Sequence, residues 1–177
     1  MAIFLRRFIG ALALDASIYE DIEADRGAAL QSLLVVVMAA VGGGVGVVGL
    51  GLTGVAGFMA GMVVVLGGWL LWITFTSALG TITMAEPQTR SSTSELMRTV
   101  SFAMAPGVLL AFAALKPAAP AVIAIVLAWI IAGSVVAMRQ ALDYRSTGRA
   151  VAVCVASWLI AVGLVAAVAA MLTRRVS

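Results

Sequence analysis

Between Arg26 and Glu86 the chain carries no acidic or basic side chain. A helix that crosses the hydrocarbon core of a bilayer needs about 20 apolar residues, so this stretch holds two crossings joined by a tight turn. The pattern places them at 29–50 and 55–79, with Gly51, Thr53 and Gly54 at the turn. A third apolar run, 99–115, is short and contains Pro106-Gly107. A fourth covers 119–138, entered by Lys116-Pro117 and Pro120, and a fifth covers 150–172, ending at Arg174 and Arg175. The expectation is an all-α polytopic membrane bundle of five transmembrane helices, with 27–173 as one membrane domain and 174–177 as a tail. Run 99–115 has a second reading, a re-entrant hairpin broken at Pro106. Proline is tolerated in a crossing helix when neighbouring groups satisfy the freed carbonyl.

Residues 1–26 follow a different pattern. Ile3, Phe4, Leu5, Phe8, Ile9 and Leu12 fit an interfacial amphipathic helix, its apolar side chains in the acyl boundary and Arg6 and Arg7 against lipid phosphates. Those arginines interrupt the apolar run, so no cleaved signal peptide is expected. Next come five carboxylates, Asp15, Glu20, Asp21, Glu23 and Asp25. Asp15 suits an N-cap, and Ile18 and Ile22, four apart, predict a second amphipathic helix lying apolar side down on the membrane. The carboxylates form either a solvated face or a recognition surface for a basic partner or a divalent cation. Two further polar segments interrupt the apolar pattern. In 86–98, Ser92 and Glu95 have capping-box spacing. In 138–149, Arg139 and Asp143 lie one helical turn apart and Ser146-Thr147-Gly148 turns the chain.

Charge sets the expected orientation. With five crossings one side receives Arg6, Arg7, Arg26, Arg90, Arg98, Arg139, Arg145 and Arg149, and the other Lys116, Arg174 and Arg175. Basic residues concentrate in the cytoplasm, which puts the N-terminus there and the C-terminus outside. The re-entrant model gives the same tally but returns the C-terminus to the cytoplasm. Under five crossings Arg139, Arg145 and Arg149 share a surface with Glu20, Asp21, Glu23 and Asp25, predicting a charge-paired cap over the bundle ends. The candidate interaction surface is Tyr19, Glu20, Asp21, Glu23, Asp25, Arg139, Asp143, Tyr144 and Arg149.

Composition narrows the chemistry. Of 177 residues 63% are hydrophobic and 11% charged, with mean hydropathy +1.16. Soluble domains are about 45–50% apolar and about 25% charged, so the solvent here is lipid. The net charge of +3 is scattered beside apolar runs, unlike a nucleic-acid footprint. Histidine is absent and Cys154 is the sole cysteine, which excludes an intrachain disulfide, a zinc cluster and the commonest general base. The spans hold no charge, an argument against ion-coupled transport. Their hydroxyls, among them Thr74, Thr76, Ser77, Ser134 and Ser157, are expected to bond back to their own helices. No catalytic, cofactor-binding or metal-ligating residues are assigned, and no enzyme is expected.

Glycine marks where backbones meet. Gly42/Gly46 in the first span and Gly57/Gly61 in the second have the small-xxx-small spacing of close helix contacts. They serve either a dimer face or packing of spans one and two within the chain. Trp69, Trp72, Trp129 and Trp158 read equally as interfacial anchors or as buried packing.

Three stretches, Tyr19-Glu-Asp-Ile-Glu-Ala-Asp25, Phe102-Ala-Met-Ala-Pro106 and Arg139-Gln-Ala-Leu-Asp-Tyr-Arg-Ser-Thr-Gly-Arg149, resemble the bacterial branch of the Yip family, membrane proteins named for interaction with Ypt/Rab GTPases. With the pattern of spans, the resemblance covers nearly the whole chain. It implies a five-span domain, a cytosolic N-terminus and no enzymatic activity. The long N-terminal region through which eukaryotic relatives bind GTPases has no counterpart here, so GTPase binding is not carried over. The expected function is a non-catalytic organiser or adaptor in the bacterial inner membrane, working through the acidic and Arg/Asp/Tyr segments. The alternatives are an accessory subunit of a larger complex and a small transporter or channel. Expected partners are the lipid bilayer and, through the glycine-rich spans, another membrane protein or a second copy. Neither nucleic acid nor a small-molecule substrate is expected.

Overall fold

The computed structural model describes residues 1–83 and 92–176, with side chains for 1–82 and 92–164. Every described element is helical. In chain order they are α1 (Ala2–Leu12), α2 (Ala16–Ala24), α3 (Ala28–Leu50), α4 (Gly54–Ala78) ending in a π-helical turn (Leu79–Thr83), α5 (Thr93–Phe102), a 3-10 segment (Ala105–Ala114), a 3-10 turn (Lys116–Ala118), α6 (Ala119–Ala141) and α7 (Thr147–Val176). Expectations for 84–91, including Glu86 and Arg90, and for the side chains of Arg174 and Arg175 lie outside the described residues.

Four helices are long and apolar enough to cross a membrane, and a fifth crossing results if α5 and the 3-10 segment count as one bent span. Their outer faces fit that reading. Leu30, Leu33 and Leu34 on α3, Val55, Val63 and Val64 on α4, Ile125 on α6 and Leu159 on α7 are exposed. Apolar surface on this scale is a liability in water and ordinary in lipid.

The predicted third span is the element that differs. It is not one α-helix but α5, a turn at Ala103-Met104 and a 3-10 segment, bent by 41°. Pro106 has no N–H to continue an α-helical ladder, and Gly107 N bonds to Met104 O at 2.8 Å. A 3-10 helix rises about 2.0 Å per residue, so ten residues cover about 20 Å. The segment runs parallel to α3. Gly107 faces Ala39, Gly42 faces Gly107 and Val108, Gly46 faces Leu110, and Gly49 faces Ala114. That register carries it to the far end of α3.

The glycines explain how two backbones come so close, and they correct the expected pairing. A methyl group on Gly42 would lie 2.7 Å from the carbonyl oxygens of both Gly107 and Val108, and one on Gly46 would lie 2.5 Å from that of Leu110. Gly42 and Gly46 therefore seat the 3-10 segment rather than α4. The α3–α4 contact uses Gly61, whose missing side chain admits Gly43 O and the Gly44 Cα, while Gly57 admits the backbone of Leu52 at the preceding turn. All of this packing lies within the chain.

Candidate functional site

At one end of the bundle α1 and α2 fold into a cap against α5 and α6. Leu14, in the left-handed region at φ +59°, turns the chain, and Asp15 caps α2 by accepting from Ser17 N at 3.0 Å. The α2 face bearing Ile18 and Ile22 is buried in the protein core with Leu96, Phe102, Met138 and Leu142, not turned to lipid as expected. Each isoleucine so covered is worth roughly 1.5–3 kcal/mol, enough to dock so short a helix. On α1, Phe4, Phe8 and Leu12 pack on the same core, whereas Ile3, Leu5 and Ile9 remain exposed.

Arg7 is the centre of the cap. It is 3% exposed. Its Nε donates to Asp21 at 2.9 Å, its Nη2 to Asp25 at 2.9 Å and its Nη1 to Gln31 at 3.1 Å. One side chain thus joins α1, the C-terminal half of the acidic segment and the first turn of α3. The expected contact with lipid phosphate is not made by Arg7, because burial of a guanidinium demands partners that satisfy its donors. Burial works to lower the Arg7 pKa, but the hydrogen bonds from two carboxylates more than offset it and the pKa is raised. The guanidinium in turn holds Asp25 below the usual carboxylate range.

Arg98 plays a parallel part on α5. It is buried and donates through Nη2 to Glu23 O at 2.8 Å. The capping box at the start of α5 is formed, with Glu95 N bonded to Ser92 Oγ at 3.3 Å and Ser92 N to a Glu95 carboxylate oxygen at 2.7 Å. Glu23 is half-buried beside Asp143, Glu95 and Glu20. Desolvation first, and then repulsion from those three carboxylates, pushes its pKa up to about 7.

The expected charge pairing is corrected accordingly. Asp21 and Asp25 answer Arg7 rather than Arg139, Arg145 or Arg149, and Glu20 accepts from Gln140 at 3.1 Å. Arg139 is exposed and makes no ion pair among the described residues. Asp143 lies beyond the end of α6 with φ +51°, so the helical pair with Arg139 does not form. Tyr19 and Tyr144 belong to the interior, not to an interaction surface. Tyr19 OH donates to Ala11 O at 3.3 Å, and burial raises its pKa. Tyr144 OH donates to Gly80 O at 2.9 Å in the π-helical turn, and Arg149 lies 5.9 Å from its ring centre. Of the expected surface, Glu20, Arg139 and Asp143 are exposed, and Asp21, Glu23, Asp25 and Arg149 are half-buried. Among the described residues no group of acidic, cysteine or histidine side chains converges to hold a metal ion.

Within the spans, Thr74, Ser134 and Ser157 bond to the carbonyls four residues back, at 2.7 Å each, as expected. Ser77 instead donates to Thr93 Oγ1 at 3.3 Å. Thr76 Oγ1, Trp69 Nε1 and Trp72 Nε1 are buried and meet no hydrogen-bond partner among the described residues. Trp129 donates to Leu12 O at 2.9 Å, tying α6 to the end of α1. An apolar cleft of about 580 Å³ lies among α3, α4, α6, α7 and the 3-10 segment. Sequence reasoning did not find this cleft; the adjacent Gly67 and Gly68 were its only trace.

Compared with family models, curated proteins and solved structures, the chain matches none.

Proposed function

We propose that this chain is a non-catalytic integral membrane adaptor of Yip-like type. Its cap presents a carboxylate face, Glu20, Glu23, Glu95 and Asp143, to a basic segment of a partner protein at the membrane surface. The observation that carries this reading is the direction of the charges. The two buried arginines face inward and are engaged in holding the cap, while desolvation first, and then repulsion from the neighbouring carboxylates, raises the Glu23 pKa to about 7. A positively charged partner relieves that repulsion on docking, so complementarity supplies both steering and specificity.

A cytosolic N-terminus in the bacterial inner membrane completes the reading, supported by the bias of basic residues toward the cap side. The test is co-purification in mild detergent. A partner bound through this face is retained at low salt, shed as ionic strength rises and lost on the double reversal Glu20→Lys/Asp143→Lys. Retention by the double reversal at every salt concentration refutes the assignment.

A further inference from the structure

We propose that α1 enters the bilayer C-terminal end first, as one arm of a helical hairpin inserted into a single leaflet. Its outer side chains, Ile3, Leu5 and Ile9, pack against the acyl chains of that leaflet. Direction, depth and surface all support this placement.

Direction follows from the contacts between the two arms. α1 and α2 run antiparallel, because Gly10 sits against Ile18 while Arg7 reaches Asp21 and Asp25. Only residues 25–27 separate the end of α2 from α3, so the open end of the hairpin is level with the start of α3. The bond from Arg7 to Gln31, in the first turn of α3, fixes the same level. The closed end, Leu12 to Asp15, therefore points along the bundle, away from that rim.

Depth follows from α6. Trp129 Nε1 donates to Leu12 O at 2.9 Å, and a methyl group on Gly133 would lie 3.5 Å from Leu14 Cδ2. Trp129 and Gly133 stand twelve and eight positions before Ala141, where α6 ends, or about 18 and 12 Å along the helix. α6 has 23 residues and is about 35 Å long, little more than the hydrocarbon core of about 30 Å that it crosses. The closed end is thus level with the interior of a spanning helix. A helix lying in the headgroup plane would meet α6 only at its end.

The surface agrees. Phe4, Phe8 and Leu12 pack on the core, yet Ile3, Leu5 and Ile9 are each more than half exposed. A helix apolar on both sides suits a wall between protein and lipid. Ile125, one turn from Trp129 on the same side of α6, is exposed as well, so the α1 surface runs on into a surface that meets acyl chains. Near the closed end the exposed Arg6 and Asp15 attract one another, and Asp15 accepts from Ser17 N and Oγ. Charges at this depth are accommodated by headgroups and water drawn down beside them.

The experiment uses the full chain in vesicles of phosphatidylethanolamine and phosphatidylglycerol. Ile3→Cys, Leu5→Cys and Ile9→Cys each carry a nitroxide spin label, with Ser94→Cys as the water reference and Ile125→Cys as the lipid reference. All five positions are exposed, so the label displaces no packed side chain. Native Cys154 is buried and stays in place, and the unsubstituted protein is the labelling blank. Power saturation compares collisions with oxygen, which partitions into lipid, and with a water-soluble nickel chelate. Oxygen should dominate at all three α1 positions. Ile9 should read about 6–9 Å deeper than Ile3, the rise of six helical residues tilted by no more than about 45°. Equal depth at the three positions lays α1 flat in the headgroup plane and overturns the inserted hairpin. Dominance of the nickel chelate turns the face to water and overturns it as well. Labels that neither reagent reaches assign the face to a protein partner, which overturns its contact with lipid.

Discussion

Replacing Arg7 with methionine isolates the energetics of the cap, because methionine preserves much of the apolar stem and removes the guanidinium alone. Three hydrogen bonds of 2.9, 3.1 and 2.9 Å disappear. Breaking a fully buried ion pair from one side costs about 3–5 kcal/mol. Here the Asp21 and Asp25 side chains are 40% and 46% exposed, so both carboxylates regain water and the loss shrinks. The expected cost is about 2–3 kcal/mol, between surface and buried pairs. It should appear locally, as opening of α1 and α2 from the bundle. Hydrogen exchange in detergent measures this directly. At tenfold per 1.4 kcal/mol, amides of α1 and α2 should exchange about 30- to 150-fold faster, with α4 and α7 unchanged. A double-mutant cycle with Asp21→Asn should return a coupling of about 1–2 kcal/mol. Additive losses, or acceleration spread evenly over all helices, would refute the view that Arg7 is a local clasp.

Three further outcomes are expected. Because the fold raises the Glu23 pKa from its ordinary value of 4.5 to about 7, the native state binds the proton more tightly than the unfolded chain, and stability falls as pH rises across that interval. Glu23→Gln should therefore melt above wild type at pH 8, and the gap should close progressively as pH falls from about 7 to 4.5; a pH-independent gap would contradict the linkage. Gly42→Leu should prevent the 3-10 segment from seating and abolish a monodisperse peak on size exclusion, whereas Gly67→Ala should be neutral or stabilising by about 1 kcal/mol in thermal unfolding. A reporter active only outside the cytoplasm, fused after Ser177, should be active if the bent pair is a crossing, and silence there would return that pair to the re-entrant reading.

The long elements were legible because an uncharged run of membrane length has few ways to satisfy its backbone. Spans expected at 29–50, 55–79 and 119–138 form as Ala28–Leu50, Gly54–Ala78 and Ala119–Ala141. The Asp15 cap and the Ser92–Glu95 box were equally readable, since both depend on groups within three residues. The bend at 99–115 was half legible, in that Pro106 marked the place but not the 3-10 geometry that α3 imposes. Arg6 and Arg7 look alike in composition, and only position separates them. Arg7 lies among Phe4, Phe8 and Ala11 at helical spacing, so the face that buries those three buries it as well. Tyr19 and Tyr144 were misplaced for a related reason: a tyrosine beside carboxylates resembles a surface residue until a carbonyl is found for its hydroxyl.

The parallel seating of the 3-10 segment on α3 also constrains the order of biogenesis. A ten-residue 3-10 helix is a poor candidate to enter lipid alone, since its hydrogen bonds are weaker than α-helical ones. Its groove, the glycine edge of α3, exists only after α3 has inserted, and α4 lies between them in the chain. The groove that receives residues 105–114 is thus supplied wholly by an element that precedes them in the chain, and α4 packs on the neighbouring glycines of the same helix.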